Sequence, residues 1–308
     1  MSSDRLKLRA TVIGSKAAFV VANSYGGRVH SCFKRTVNLL LEEGLVGISS
    51  TRVPKSPINI QIELPNGIEV SSLDVKAGNR VKVERVSLTT SNLCILLNEA
   101  EIWNPSKSVD NASLELVKRN IELMQRFFSF FSINEGFGPI LTLLPKILKR
   151  KREQSSSSLI SGAILNKLSE IVNSITNKDL DSLGRACEGM VGLGSGATPS
   201  GDDFLMGLMA SMQWTVRSFG GDLNYVEALC REISSRCNNT TELSKALLVC
   251  AAEGEVNEVI EKVLRSLFSG TKSQLMNSLM KLLRMGETSG VDTLAGIYLG
   301  VSLGLKFI

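Results

Sequence analysis

Val81-Lys82-Val83-Glu84-Arg85-Val86 alternates apolar and polar residues, whereas Leu114, Val117, Ile121, Met124 and Phe128 recur at three- and four-residue spacing. The first is the period of a strand with one wet face, and the second is that of a helix. The period changes near Asn104-Pro105, and that change decides the fold. Upstream of it, the runs 11–13, 18–22, 58–64, 80–88 and 93–97 are short and rich in Val, Ile and Leu. Turn signals separate them at Tyr25-Gly26-Gly27, Pro65-Asn66-Gly67 and Ala77-Gly78-Asn79, and Asn66-Gly67 suits a tight hairpin. One helix is expected over 33–43, closed by Gly44 as its C-cap. Downstream, helical patterns cover 158–175, 179–190, 203–219, 222–236, 241–253, 256–269, 272–285 and 291–305. The reading is an α+β chain. An antiparallel β domain, a small barrel or sheet with one helix, fills 1–104, and a larger all-α domain fills 105–308.

The 308 residues suffice for two ordinary domains with a buried core. Lys and Arg number 35 against 30 Asp and Glu, and a net charge of +5 over this length leaves no footprint for nucleic acid or a membrane surface. With 43 % apolar and 21 % charged residues, the chain falls outside the disordered class. Residues 1–10 are charged and lack an apolar core, so no secretory signal is expected. No run reaches about 18 apolar residues, so no spanning helix is expected either. Six cysteines occur without close pairs, and His30 is the sole histidine, which argues against zinc. Their apolar neighbours, as in Leu93-Cys94-Ile95, suit buried free thiols of a reducing, cytoplasmic compartment. The basic run Lys146-Ile147-Leu148-Lys149-Arg150-Lys151-Arg152 has no interleaved aromatics and reads as a solvated loop.

Function concentrates in G-L-G-S-G-A-T-P-S-G-D-D-F-L-M-G (192–207). Glycine at this density lets the backbone take positive φ and approach a ligand closely. A helix beginning near Thr198 to Gly201 would aim free N–H groups and its positive dipole end at an anion. No Lys follows the last glycine and no strand precedes the first, so neither a nucleotide-hydrolase loop nor a dinucleotide fingerprint is present. No nucleotide is expected.

The segment Ser289-Gly290-Val291-Asp292-Thr293-Leu294-Ala295-Gly296 repeats the S-G-x-D-x-L-x-G of Ser200 to Gly207. If both begin helices, Asp203 and Asp292 occupy equivalent first-turn places, with Gly207 and Gly296 one turn further on the same face. The spacing predicts two helices crossing at these glycines, with both N-termini turned toward one pocket. A capping box explains Ser200, Asp203, Ser289 and Asp292 without any function. It leaves Asp202 and the run 192–196 unexplained. Asn238-Asn239-Thr240-Thr241-Glu242-Leu243-Ser244-Lys245 offers a third helix start, whose hydroxyls either cap or complete an anion pocket. His30 is either structural or a general base or acid near neutral pH.

The 192–207 stretch resembles the G-x-G-x-G-x-T-P-S-G-D-D-x-L-x-G signature of a family that includes the AllH-type subunit of oxamate carbamoyltransferase. Thr240-Thr241 with Ser244, the closing 286–296 segment and Val29-His30-Ser31-Cys32-Phe33 are also similar to it. Serine at 195 and alanine at 197 stand where proline and leucine are more usual. The resemblance implies a subunit that works with two others to interconvert oxalurate plus phosphate with oxamate plus carbamoyl phosphate. The same site suits a non-catalytic anion-binding or scaffolding subunit.

In the catalytic reading, the amides of Gly194, Gly196 and Gly201, with Thr198 and Ser200, would hold a phosphate or carboxylate of a small metabolite. Asp202 or Asp203 would ligate Mg²⁺ or orient the attacking amine. Asp292, Thr240, Thr241, Ser289 and Gly290 would complete the pocket. Carboxylates beside an anion repel it unless a cation intervenes, so a divalent metal or a nearby Lys is expected.

Overall fold

The computed structural model describes residues 5–65, 67–130, 134–149 and 159–308. The chain divides into two compact units, Met1–Pro105 and Ser106–Ile308. The first holds strands β1 (Leu6–Gly14), β2 (Gly26–Cys32), β3 (Thr36–Leu41), β4 (Gly44–Ser50), β5 (Asn59–Ile62), β6 (Arg80–Glu84), β7 (Ser87–Thr89), β8 (Leu93–Leu96) and β9 (Glu101–Trp103), with helix α1 (Ser15–Ala22). They form one sheet in the order β5-β4-β3-β2-β6-β7-β8-β1-β9. Strand β1 also pairs with β5, so eight strands close on themselves and β9 is appended beside β1. Closure removes sheet edges that would otherwise invite pairing with another chain. Val29, Val46, Ile48, Ile60, Ile62 and Ile95 fill the interior.

An α+β chain with a barrel-like first unit is what the period change predicts, but details differ. Three pairings, β1 with β8, β1 with β9 and β4 with β5, are parallel rather than antiparallel. Among the described residues the one α-helix of this unit is α1 and not 33–43. Residues 18–22, read as a strand, belong to it, because Ala17 and Val20 bury at helical spacing against the barrel. The expected helix is instead the β3–β4 hairpin, in which Leu41 pairs with Gly44. Thr36 and Val37 favour the strand, and Gly44, at φ +143°, follows the two-residue Glu42-Glu43 turn. Gly26 and Gly27 lie inside β2, where a Cβ on Gly27 would run into the Leu40 carbonyl. The 80–88 run folds back on itself, with Lys82 opposite Thr89. Asn66 lies outside the described residues, and the chain beyond Gly67 enters a 3₁₀ turn at Val70–Ser72 rather than a hairpin strand.

The second unit is helical: α2 (Leu114–Phe130), α3 (Leu144–Leu148), α4 (Leu159–Asn177), α5 (Leu180–Glu188), α6 (Ser200–Phe219), α7 (Leu223–Ser235), α8 (Glu242–Ala252), α9 (Glu258–Ser269), α10 (Lys272–Leu282) and α11 (Ser289–Gly304). A 3₁₀ segment, Gly138–Leu143, leads into α3 and has no counterpart in the sequence reading. Lys146–Lys149 of the basic run close α3, and residues 150–158 lie outside the described residues. At the centre, α6 is buried continuously from Gly201 to Val216 and α11 from Gly290 to Val301. The two cross as their glycines predict. A Cβ on Gly207 would collide with the Thr293 carbonyl, and one on Gly296 with the Phe204 carbonyl. Gly300 and Gly304 extend the close approach to Leu208 and Thr215. The remaining helices supply the apolar sheath that both central helices need.

Candidate functional site

The crossing brings the starts of α6 and α11 together. Thr198 Oγ1 lies 3.2 Å from Ser289 Oγ, and Ser200 Oγ lies 3.3 Å from Thr288 Oγ1. These four hydroxyl residues are half-buried. Beneath them, Asp203 and Asp292 are buried, at 3 % and 0 % exposure. The Ser289 and Thr198 hydroxyls lie beside Asp203 and favour its charged form, and those of Ser200 and Thr288 do the same for Asp292. Each carboxylate is thus served by the serine of the opposite helix. Asp292 Oδ1 also accepts the Phe137 N–H at 2.6 Å. Oδ2 of both aspartates has no hydrogen-bond partner.

Burial dominates the electrostatics here. It pushes the Asp203 carboxyl up to about 8, with the charges of Asp292 and Asp202 adding to the rise and the two hydroxyls opposing it. Burial also raises Asp292, against the Phe137 N–H, Ser200 and Thr288. Among the described residues, neither aspartate has a cationic partner within ion-pairing distance.

Asp202 has a different job. Its Oδ1 accepts the Gly192 N–H at 2.9 Å and its Oδ2 accepts the Thr240 hydroxyl, so both oxygens staple the glycine loop to the start of α8. Thr241 continues that seam, donating to the Ala197 carbonyl at 2.7 Å and capping α8 through the Ser244 N–H. Gly192, Gly194 and Gly196 all have positive φ, at 72°, 111° and 102°. Gly192 lies against the Asn239 carbonyl and Gly194 against the Ser200 amide, while a Cβ on Gly196 would meet nothing within 4 Å. The loop therefore offers an exposed backbone surface at 193–197.

Gly201 and Gly290, expected to offer amides to an anion, do not. Their N–H groups donate to the carbonyls of Leu193 and Met285, and their missing side chains admit the carbonyls of Met190 and Leu282. The Asp202 and Asp203 amides are taken by the Pro199 carbonyl. An anion at this helix start would therefore meet the loop amides of 194–198 and not the first turn of α6. His30 lies exposed on β2 in the first unit, its Nδ1 3.2 Å from Ser31 Oγ. No group of three or more His, Cys, Asp or Glu that could hold a metal ion exists among the described residues.

Sequence reasoning missed the Gly136-Phe137 contact. Gly136, at φ +55°, sits where a Cβ would overlap the Asp292 carboxylate, and the Phe137 ring stacks on Phe204 with centroids 5.0 Å apart. The only local trace is the glycine-proline cluster Gly136-Phe137-Gly138-Pro139. Thr288 was missed as well, although it directly precedes the repeated serine.

Fold and site together define a two-unit α+β protein whose helical unit joins two like glycine-and-aspartate helix starts into one buried acidic centre. A family model described as oxamate carbamoyltransferase subunit AllH matches residues 190–301, which include every element of that centre except Gly136-Phe137. A second, described as the AllH family N-terminal domain, matches residues 9–102. The chain belongs to the AllH family. No solved structure matches it.

Proposed function

We propose that the helical unit is the substrate-binding part of an oxamate-carbamoyltransferase-like subunit. The observation that carries this is the paired helix start, with two buried carboxylates that each keep an unpartnered oxygen. Buried polar atoms are normally satisfied, and the exceptions mark places where a ligand completes the bonding. The loop amides of 194–198 hold the phosphate or carboxylate end of a carbamoyl or ureido metabolite. Asp202, Thr240 and Thr241 keep that loop in shape. The hydroxyls of Thr198, Ser200, Thr288 and Ser289 face the ligand over Asp203 and Asp292. Transfer of a carbamoyl group then needs positioning and stabilisation of developing negative charge, which preorganised amides provide.

The family description names a subunit, and we place the chain in a complex with other subunits of a carbamoyltransferase. Its free cysteines suit a reducing cytoplasm, and no described helix is long and apolar enough to cross a membrane. Mg²⁺ enters the experiment rather than the steps, because both oxygens of Asp202 are engaged.

Calorimetric titration of the chain with carbamoyl phosphate, with and without Mg²⁺, tests this reading. Saturable binding that is lost on Gly196→Val, whose side chain would enter open space over the loop amides, is the expected result, with only the modest loss of melting temperature that positive φ at 196 imposes. Absence of heat with either form would sink the loop as an anion site. Turnover of carbamoyl phosphate by the chain alone separates a catalytic subunit from a scaffolding one.

A further inference from the structure

We infer that the cleft between α9 and α10 is a binding site for a small polyanion, a molecule with two or more phosphate or carboxylate groups. It lies apart from the paired helix starts and does not rest on the function proposed for them.

A two-residue connection, Gly270-Thr271, folds α10 back along α9, and Ser266 Oγ meets Ser278 Oγ at 2.7 Å. That pair sets the register. Lys262 and Lys281 each lie one turn away from it, about 5 Å along the axes, at the same end of the cleft. Both serines are buried, bonded to each other and to the carbonyls of Val263 and Leu275. Being small and already satisfied, they make a floor and give the cleft depth. Its volume is about 430 Å³, a size that suits a small molecule.

The walls carry one sign. Lys262, Arg265 and Lys281 line the cleft, and no Asp or Glu does. Glu258 pairs with Lys262 and Glu261 with Arg265, each from one turn back along α9, which holds both cations in place. Arg265 is also bonded to the Ser106 hydroxyl. Among the described residues Lys281 has no ion-pair partner, so its charge is left for a ligand. Asn277 adds a neutral amide, and Gln274 Oε1 accepts the Thr271 N–H, which leaves its N–H₂ as a donor. Cations and donors without a competing carboxylate select for negative charge. The two ammonium groups come from facing helices, so an ion with acidic groups at two ends engages both and a single carboxylate does not.

The test uses the full chain carrying Gly196→Val, so that the glycine loop adds nothing. Inorganic pyrophosphate and citrate are titrated by calorimetry, and whichever binds more tightly tells phosphate from carboxylate as the preferred group. Saturable binding that weakens with added salt is expected, with acetate at least about tenfold weaker. Lys281→Ala, Asn277→Glu and Lys272→Ala are then compared, because each lowers the net charge by one unit. Lys281 and Asn277 line the cleft and are exposed, so their variants should keep the melting temperature and weaken binding about tenfold. Lys272 is exposed on the same helix but does not line the cleft, and its variant should stay within about twofold. Equal weakening in all three reports net charge alone and overturns the site. Failure of both pyrophosphate and citrate to bind also overturns it, even where an oligo-aspartate peptide binds, since the occupant is then a partner chain.

Discussion

The starts of α6 and α11 can be superposed residue by residue in their chemistry. Gly201 and Gly290 both yield to a carbonyl of the preceding segment, and both send their amides back to that segment. Gly207 packs on Thr293 while Gly296 packs on Phe204, the reciprocal contact of a two-fold arrangement. Asp203 and Asp292 each use the other helix's serine. Within S-G-x-D-x-L-x-G the copies differ at three positions, of which Asp202 bears on the preceding loop, and the loops themselves differ. Where α6 has Asp202, α11 has the buried apolar Val291. Where α6 follows a glycine loop with three positive-φ residues, α11 follows a short turn with one, Gly286. The shared parts build the crossing and the acidic centre. Under the proposed function, the unshared parts, Asp202 and the loop it staples, make the first copy the one assigned to the anion.

The reciprocal glycines give the largest expected effect. Gly207→Ala and Gly296→Ala each push a methyl group into a backbone carbonyl, and each should lower stability by about 3 kcal/mol. The gain in helix propensity, about 1 kcal/mol, cannot offset that. Urea unfolding of both variants reads it, and a large loss in only one would end the two-fold description.

Asp202→Ala comes next, at about 2 kcal/mol, since the Gly192 amide and the Thr240 hydroxyl both lose a charged acceptor. Calorimetry should also show loss of anion binding at the loop. Val291→Ala should leave that binding unchanged, and equal loss in both variants would erase the distinction between the copies.

A third effect is a slope with pH. The Asp203 carboxyl is raised to about 8, so between about pH 4 and about pH 8 the folded chain keeps a proton that the unfolded chain has released. Stability therefore falls as pH rises through that window, by at most about 1.4 kcal/mol per pH unit from this group, and levels off above it. Asp292, raised in the same direction, adds to the trend. Asp203→Asn should flatten the urea midpoint measured at about pH 5, 7 and 9, and identical profiles would show that burial does not tax this carboxylate.

Much of this was legible in the sequence because it is periodic or repeated. The period change places the barrel before the helices, and the S-G-x-D-x-L-x-G echo places Asp203 and Asp292 at one crossing. Short apolar runs were the weak point. Ala17 to Val20 and Thr36 to Leu41 are too brief for period to separate helix from strand, and burial against the barrel decides each. The Phe137–Asp292 bond joins residues 155 positions apart and leaves no local pattern. Nor could spacing show that Gly201 and Gly290 serve packing, because their amides are claimed by carbonyls that only the folded loops deliver.

The pairing of α6 with α11 also bears on how the unit folds. Ser200 and Thr288 are 88 positions apart, so their meeting waits on the closure of a long loop through four intervening helices, α7 to α10. A helix buried around its whole circumference has no face that tolerates water, and each of the two is incomplete until the other arrives. Assembly of the acidic centre and cooperative collapse of the helical unit are then one event. A partly folded chain that keeps its outer helices has no site, and ligand binding should vanish along the same unfolding curve as the helical signal.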